Sequence, residues 1–232
     1  MMRKIIASLI IFATSMSVYS QINKGTIAVS VSGNYYDGSS LSGVITNSLT
    51  TKTQNIDAGL SIEYFVKSNF SFGVGLDYSW GKEDRINSFS SKTFSQEEFM
   101  NVKSNLILPS IIGGYYLHVI DRLYLNMNLR LSYGRYSINS HSDYLWIQQN
   151  DDWTHTQTGA INEFISWDSD NNYSYFGSSL SPEINYFFSE KLGLCLRLGG
   201  IEYGILDWDK DQSSWNVNFN PNYWRLGIKF LI

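Results

Sequence analysis

The chain has 232 residues and a formal net charge of −4 at neutral pH; 43% of residues are hydrophobic, 16% aromatic and 16% charged. The acid excess argues against nucleic acid as a partner, because phosphate backbones are bound through cationic surfaces. A lone cysteine, Cys195, excludes an internal disulfide, and the length suits one domain behind a leader.

Residues 1–20 read as a secretory leader. Arg3 and Lys4 form a basic start, Ile5 to Ala13 an apolar core, and Val18-Tyr19-Ser20 a cleavage site before Gln21. The apolar run is too short to span a membrane as a helix, and no later window reaches the ~20 apolar residues a spanning helix needs. Cleavage leaves one domain, residues 21–232, and takes the net charge from −4 to −6 with the loss of Arg3 and Lys4.

Segments of alternating polarity then follow one another, each predicted as a strand with one apolar face. The first, 26–36, sets Ile27, Val29, Val31 and Tyr35 against Ser30, Ser32 and Asn34. The second, 55–66, sets Ile56, Leu60, Ile62 and Tyr64 against Asp57, Ser61 and Glu63. The third, 70–82, is the cleanest: Phe70, Phe72, Val74, Leu76, Tyr78 and Trp80 oppose Ser71, Gly73, Gly75, Asp77 and Ser79. In the fourth, 104–118, Leu106, Leu108, Ile112 and Tyr116 are assigned to the apolar outer face, although Ile107 and Ile111 fall on the other. Pro109 and Gly113-Gly114 suggest a local irregularity there.

The fifth, 123–136, places Leu125, Met127, Leu129 and Leu131 opposite Asn126, Asn128 and Arg130. The sixth, 173–188, places Leu180, Ile184, Tyr186 and Phe188 opposite Ser179, Ser181, Glu183 and Asn185. The seventh, 192–203, opposes Leu192, Leu194, Leu196 and Leu198 to Gly193, Cys195, Arg197 and Gly199. The last, 222–232, has Trp224, Leu226, Ile228, Phe230 and Ile232 on one face and Tyr223, Arg225, Gly227 and Lys229 on the other.

The connections alternate strictly between tight turns, near 67–69, 120–122 and 189–191, and long loops, 37–54, 83–103, 137–172 and 205–216. With the apolar faces outward, this predicts an all-β, eight-stranded antiparallel up-and-down transmembrane barrel, since spanning barrels carry short turns on one side and long loops on the other. The inward charges balance: Asp57, Glu63, Asp77 and Glu183 against Arg130, Arg197, Arg225 and Lys229. A barrel of this size is wide enough only for side chains to fill it, and an unpaired buried charge costs several kcal/mol. These eight groups are therefore expected to neutralise one another in a plugged interior.

The third long loop is the candidate contact surface. It carries Asp143, Asp151, Asp152, Glu163, Asp168 and Asp170 without a single Lys or Arg, and its Tyr144, Trp146, Trp153 and Trp167 are aromatic anchors for a protein or glycan ligand outside the membrane. Its sequence reads as a hairpin extending beyond the membrane. No metal site, cofactor site or catalytic set is expected. Asp168 to Asn172 lacks the glycine and terminal glutamate of a calcium loop, and His118, His141 and His155, the only histidines, have neither metal-ligand spacing nor a strand-borne serine and acid in register.

The eight strands, the hairpin S-P-E-I-N-Y-F-F-S-E-K-L-G-L at 181–194 and the closing Y-W-R-L-G-I-K-F-L-I at 223–232 resemble the small outer-membrane barrels of Gram-negative bacteria, the OmpX and OmpA transmembrane-domain type. The resemblance implies a monomer in the cell outer membrane, surrounded by lipid and inserted by the barrel assembly machinery. That machinery reads an aromatic-ended final strand; here Phe230 stands third from the end and Ile232 holds the terminus. These motifs are generic to the architecture and identify no activity; the expected function is non-enzymatic, with loops anchored for envelope integrity, adhesion or surface interaction. The alternative is a small channel or a conduit for hydrophobic ligands.

Overall fold

The computed structural model describes residues 22–44, 47–90, 94–148, 162–206 and 212–232. The expected leader lies outside these residues, as do Asp151, Asp152 and Trp153.

Ten antiparallel strands make one sheet: β1 (Ile27–Val44), β2 (Asn47–Lys67), β3 (Phe70–Ser90), β4 (Phe94–Ile120), β5 (Leu123–Gln148), β6 (Asn162–Phe187), β7 (Leu192–Arg197), β8 (Gly200–Leu206), β9 (Gln212–Asn218) and β10 (Arg225–Leu231). Neighbours pair in sequence from β1 to β7, β7 pairs with β10, and β10 returns to β1. This closes a ring of eight strands, a β-barrel.

The sheet counts ten strands where eight were expected, because the last two strands of the barrel are interrupted. β7 and β8 both pair with β6, but four residues on β6 (Glu183 to Leu180) correspond to five on the other strand (Arg197 to Ile201). The extra residue is a bulge at Leu198-Gly199. Gly199 has φ +90°, and a Cβ there would lie 2.1 Å from the Asn218 carbonyl oxygen, so only glycine fits. β9 and β10 are separated by residues 219–224, which include the 3-10 turn Pro221–Tyr223. The closing strand therefore begins at Arg225 rather than Asn222.

The long connections 37–54 and 83–103 are a second departure, whereas 137–172, read as a hairpin, is paired as one as far as the described residues go. Most of 37–54, 83–103 and 137–172 is strand, paired from Val44↔Asn47 down to Ile27↔Tyr64 and from Ser90↔Ser95 down to Phe70↔Tyr115. Stretches such as Thr50 to Gln54 alternate no apolar residues because both faces meet solvent; their strand character rests on threonine propensity and cross-strand pairing.

The third departure is the facing of β4. Ile107, Ile111, Tyr115 and Leu117 point outward, whereas Ile112 and Tyr116 are buried inside. The inward Ile112 fits because Gly75 faces it across the pair: a Cβ on Gly75 would stand 2.8 Å from Ile112 Cδ1. Pro109 sits within the strand without shifting the register to β5, and the irregularity lies at His118/Ile120 instead.

The outside of the ring is an uninterrupted apolar belt. Ile56, Leu60, Phe72, Leu76, Ile107, Leu129, Leu180, Leu194, Leu226 and Ile228 are each 40–61% exposed. No charged residue faces outward between the tight turns and a rim of Tyr35, Tyr78 and Tyr133. The interior at the tight-turn end is closed by Ile22, Ala28, Phe65, Tyr116, Tyr124, Phe187 and Leu231. Phe65 lies 4.8 Å from Tyr116, and Tyr124 meets Phe187 edge-on at 5.7 Å.

Above the belt the ring opens. Among the described residues, beyond Gly33 β1 pairs with β2 alone, Asn162 to Ser174 of β6 pair with β5 alone, and β9 pairs only with β8. What continues upward is a six-stranded sheet, β1 to β6, whose two edges pair with no further strand among the described residues, with the short β8–β9 hairpin between them.

Candidate functional site

The strands bring all eight predicted interior charges into the lumen, in two layers. In the lower layer Lys229, 1% exposed, donates to Glu183 (2.6 Å) and to the Tyr116 hydroxyl (2.9 Å). Glu63 accepts from Ser71 (2.6 Å) and from Tyr116 (3.3 Å). Each of these positions points inward because its strand neighbours, such as Ile62, Tyr64, Ile228 and Phe230, occupy the outer face.

In the upper layer Asp77 is the hub. Arg130 and Arg225 each reach one of its carboxylate oxygens at 2.5 Å, and Arg197 stands 3.9 Å away. Arg225 also lies 3.6 Å from Asp57, and Arg197 spans down to Glu183 at 3.8 Å. Gly59 leaves the space for this cluster; a Cβ there would lie 2.8 Å from Asp77 Oδ1. Tyr116, Ser71, Asn126 and Asn128 also belong to this buried polar interior, with Asn126 donating to Asn128 at 3.0 Å. Ser71, Asn126 and Asn128 fall on the inward face in the sequence as well, whereas Tyr116, assigned outward there, is turned in with Ile112 of β4. Cys195 is buried in the same lumen as a free thiol.

Over the upper layer opens a vestibule of about 350 Å³. Its floor is Asp77, Arg130, Arg197 and Arg225, and its walls carry Asn216, Asn218 and Glu202 from β8 and β9. Below the floor, the ionic layers and the aromatic plug fill the barrel.

The outer sheet holds part of the predicted contact set. Tyr144 and Trp167 stack at 4.8 Å, and the Tyr144 hydroxyl donates to Glu98 on β4. Trp167 remains 50% exposed at the free edge of β6. Trp146 lies on β5 opposite Glu163. Asp151, Asp152 and Trp153 fall outside the described residues.

One group was missed as a unit: His141 bridges Asp168 (2.7 Å, Nδ1) and Asp143 (3.2 Å, Nε2). The hydrogen bond to Asp168, followed by the charge of Asp143, raises its pKa above the ordinary histidine value. The pairing His141↔Asp168 across β5 and β6 joins residues 27 apart in sequence, so local spacing carried no signal. Asp168 and Asp170, read as a fragment of a calcium loop, are strand residues; among the described residues no three His, Cys, Asp or Glu side chains are grouped to hold a metal ion.

No protein-family model matches the chain, and no curated protein matches it. Among solved structures it is similar to the N-terminal β-barrel domain of Pseudomonas aeruginosa OprF, at 11% identity over 90% of this chain and 98% of that one, with a TM-score of 0.30. It is also similar to Ail, the attachment invasion locus protein of Yersinia pestis, at 11% identity over 90% and 99%, with a TM-score of 0.31. The CymD monoaromatic hydrocarbon channel is similar at 8% identity over 91% and 88%, with a TM-score of 0.18.

Proposed function

We infer that this chain is a non-catalytic outer-membrane barrel that anchors a protruding sheet for contact with other surfaces. One observation carries the membrane reading: the charge-free apolar belt around the whole ring, opposed by a charged, hydrogen-bonded interior. That inside-out distribution suits lipid, where an outward Lys or Arg at the midplane costs about 2–4 kcal/mol, and it is ruinous in water. With the belt in the bilayer, the tight turns and the aromatic plug face the periplasm, and the six-stranded sheet stands outside the cell.

The contact reading rests on the two free edges and their chemistry. An unpaired strand edge offers a row of backbone donors and acceptors to an extended partner strand. On β6 that edge also carries the exposed Trp167 beside Asp168 and Asp170. The partner that fits is a protein segment with basic residues flanking apolar ones, in extended form.

Two experiments test the reading. The chain from residue 21 onward, refolded, should run on unboiled gels as a compact, protease-resistant species only when detergent or lipid is present; a monodisperse soluble fold without either would reverse the inside and outside. Cells displaying the protein should bind immobilised extracellular protein, and removal of 140–169 should abolish that binding while the barrel still inserts. Retention on glycan arrays alone would move the partner to a sugar. The rival reading, a small channel or a conduit for hydrophobic ligands, predicts steady conductance or ligand flux, and the plug beneath the vestibule argues against both.

A further inference from the structure

The two ionic layers are balanced together but not separately. The lower one sets Lys229 against Glu63 and Glu183, leaving an excess of negative charge. The upper one sets three arginines against Asp57 and Asp77, leaving an excess of positive charge directly under the vestibule. The arginines are also under-used. A guanidinium has five N–H donors. Asp77 occupies one nitrogen of Arg130 and one of Arg225, whose other terminal nitrogen lies 3.6 Å from Asp57, while among the described residues Arg197 has two ionic contacts, at 3.8 and 3.9 Å, beyond hydrogen-bond reach. Arg130 is 5% exposed, yet its buried Nε has no partner among the described residues, and the same is true of Arg197 Nε. Buried donors of this kind are normally satisfied. Both side chains line the same cavity, and the acid there that could compete, Glu202, is exposed on the wall rather than packed into the floor.

We propose that the vestibule is an anion site in which Arg197 and Arg130 hold a phosphate-type oxyanion. Planar guanidinium forks match phosphate oxygens two at a time, and about 350 Å³ accommodates one phosphate with a small substituent. Asp77 keeps Arg130 and Arg225 oriented, and Arg197, tied least tightly, closes on the ligand. The site has two sources of ligand. A free phosphate enters from the open sheet above. A lipid-borne phosphate enters from the side, where β1 beyond Gly33 is not hydrogen-bonded to β9 and the exposed Trp215, Val217 and Phe219 flank the gap.

The test is phosphorus NMR and calorimetric titration of the refolded barrel in a non-ionic detergent, with inorganic phosphate in one arm and a short-chain phosphatidic acid in the other. Wild type should bind at least one of the two saturably, and Arg197→Gln should weaken that binding at least tenfold while keeping the unboiled compact gel band. Binding of inorganic phosphate assigns entry from above; binding of the lipid alone assigns entry through the gap. Absence of saturable binding in both arms overturns the site, as does equal affinity in Arg197→Gln. Should that variant lose the compact band, Asn216→Trp, which fills the vestibule from its β9 wall opposite Glu202 and not beside an arginine, gives the same decision.

Discussion

Lys229 is a charged ammonium at 1% exposure whose neighbours are acids, a phenol and a thiol. Taking two ions out of water is costly, and the pair persists because each ion supplies what the other lost. Lys229→Met removes one partner and leaves Glu183 buried without it. We expect a loss of about 3–5 kcal/mol in unfolding from lipid vesicles, with most of it restored in Lys229→Met/Glu183→Gln, a double-mutant cycle that isolates the pair. His141 acts in the opposite setting, exposed and outside the belt. Its folded pKa is raised, so its stabilising pairing with Asp168 and Asp143 is complete below the ordinary histidine pKa near 6.5 and is lost as pH rises through the higher folded value. Protease cleavage of the outer sheet should therefore quicken across that window, and His141→Asn should make the rate independent of pH.

Among the elements, the β7–β8 bulge is the most exacting. Gly199→Ala adds a methyl where the Asn218 carbonyl already stands and demands a positive φ from alanine. About 1–3 kcal/mol of strain follows, and the expected signature is selective protease sensitivity of the β8–β9 hairpin with the rest of the barrel intact. That bulge also marks how far the sequence could be read. Inside the belt, alternation was legible because one face of each strand is an exposed apolar face and the other packs into a polar interior; Phe70 to Trp80 states its facing outright. Past the belt the two faces have the same surroundings, so Thr50 to Gln54 and Ser137 to Ser142 carried no period and were taken for loop. β4 was misassigned for another reason. Its run from Leu106 to Ile112 is apolar on both faces, and only the tertiary gap left by Gly75 decides which isoleucine goes in. The ionic lumen was readable as a set because every member sits opposite an outward apolar residue, whereas its division into two layers depends on strand stagger that no single strand records.

For the whole molecule, the plug beneath the vestibule predicts no steady ion conductance in planar bilayers. A wild-type channel that stays open would require the Phe65, Tyr116 and Phe187 packing to part, whereas Phe65→Ala with Phe187→Ala should admit brief openings. The outer sheet has a mechanical consequence of its own. β4 runs 27 residues without a break, about 90 Å of continuous strand at ~3.3 Å per residue. β1 to β6 are zipped to one another along nearly all of their length. A pull on the rim is therefore not absorbed by slack chain. It passes straight down the backbones into the closed ring, where the interstrand hydrogen bonds carry it in shear and must yield together. The weak point under such a load is the open side, so a sheet built this way should fail by peeling at β1 or β6 long before the closed ring gives way.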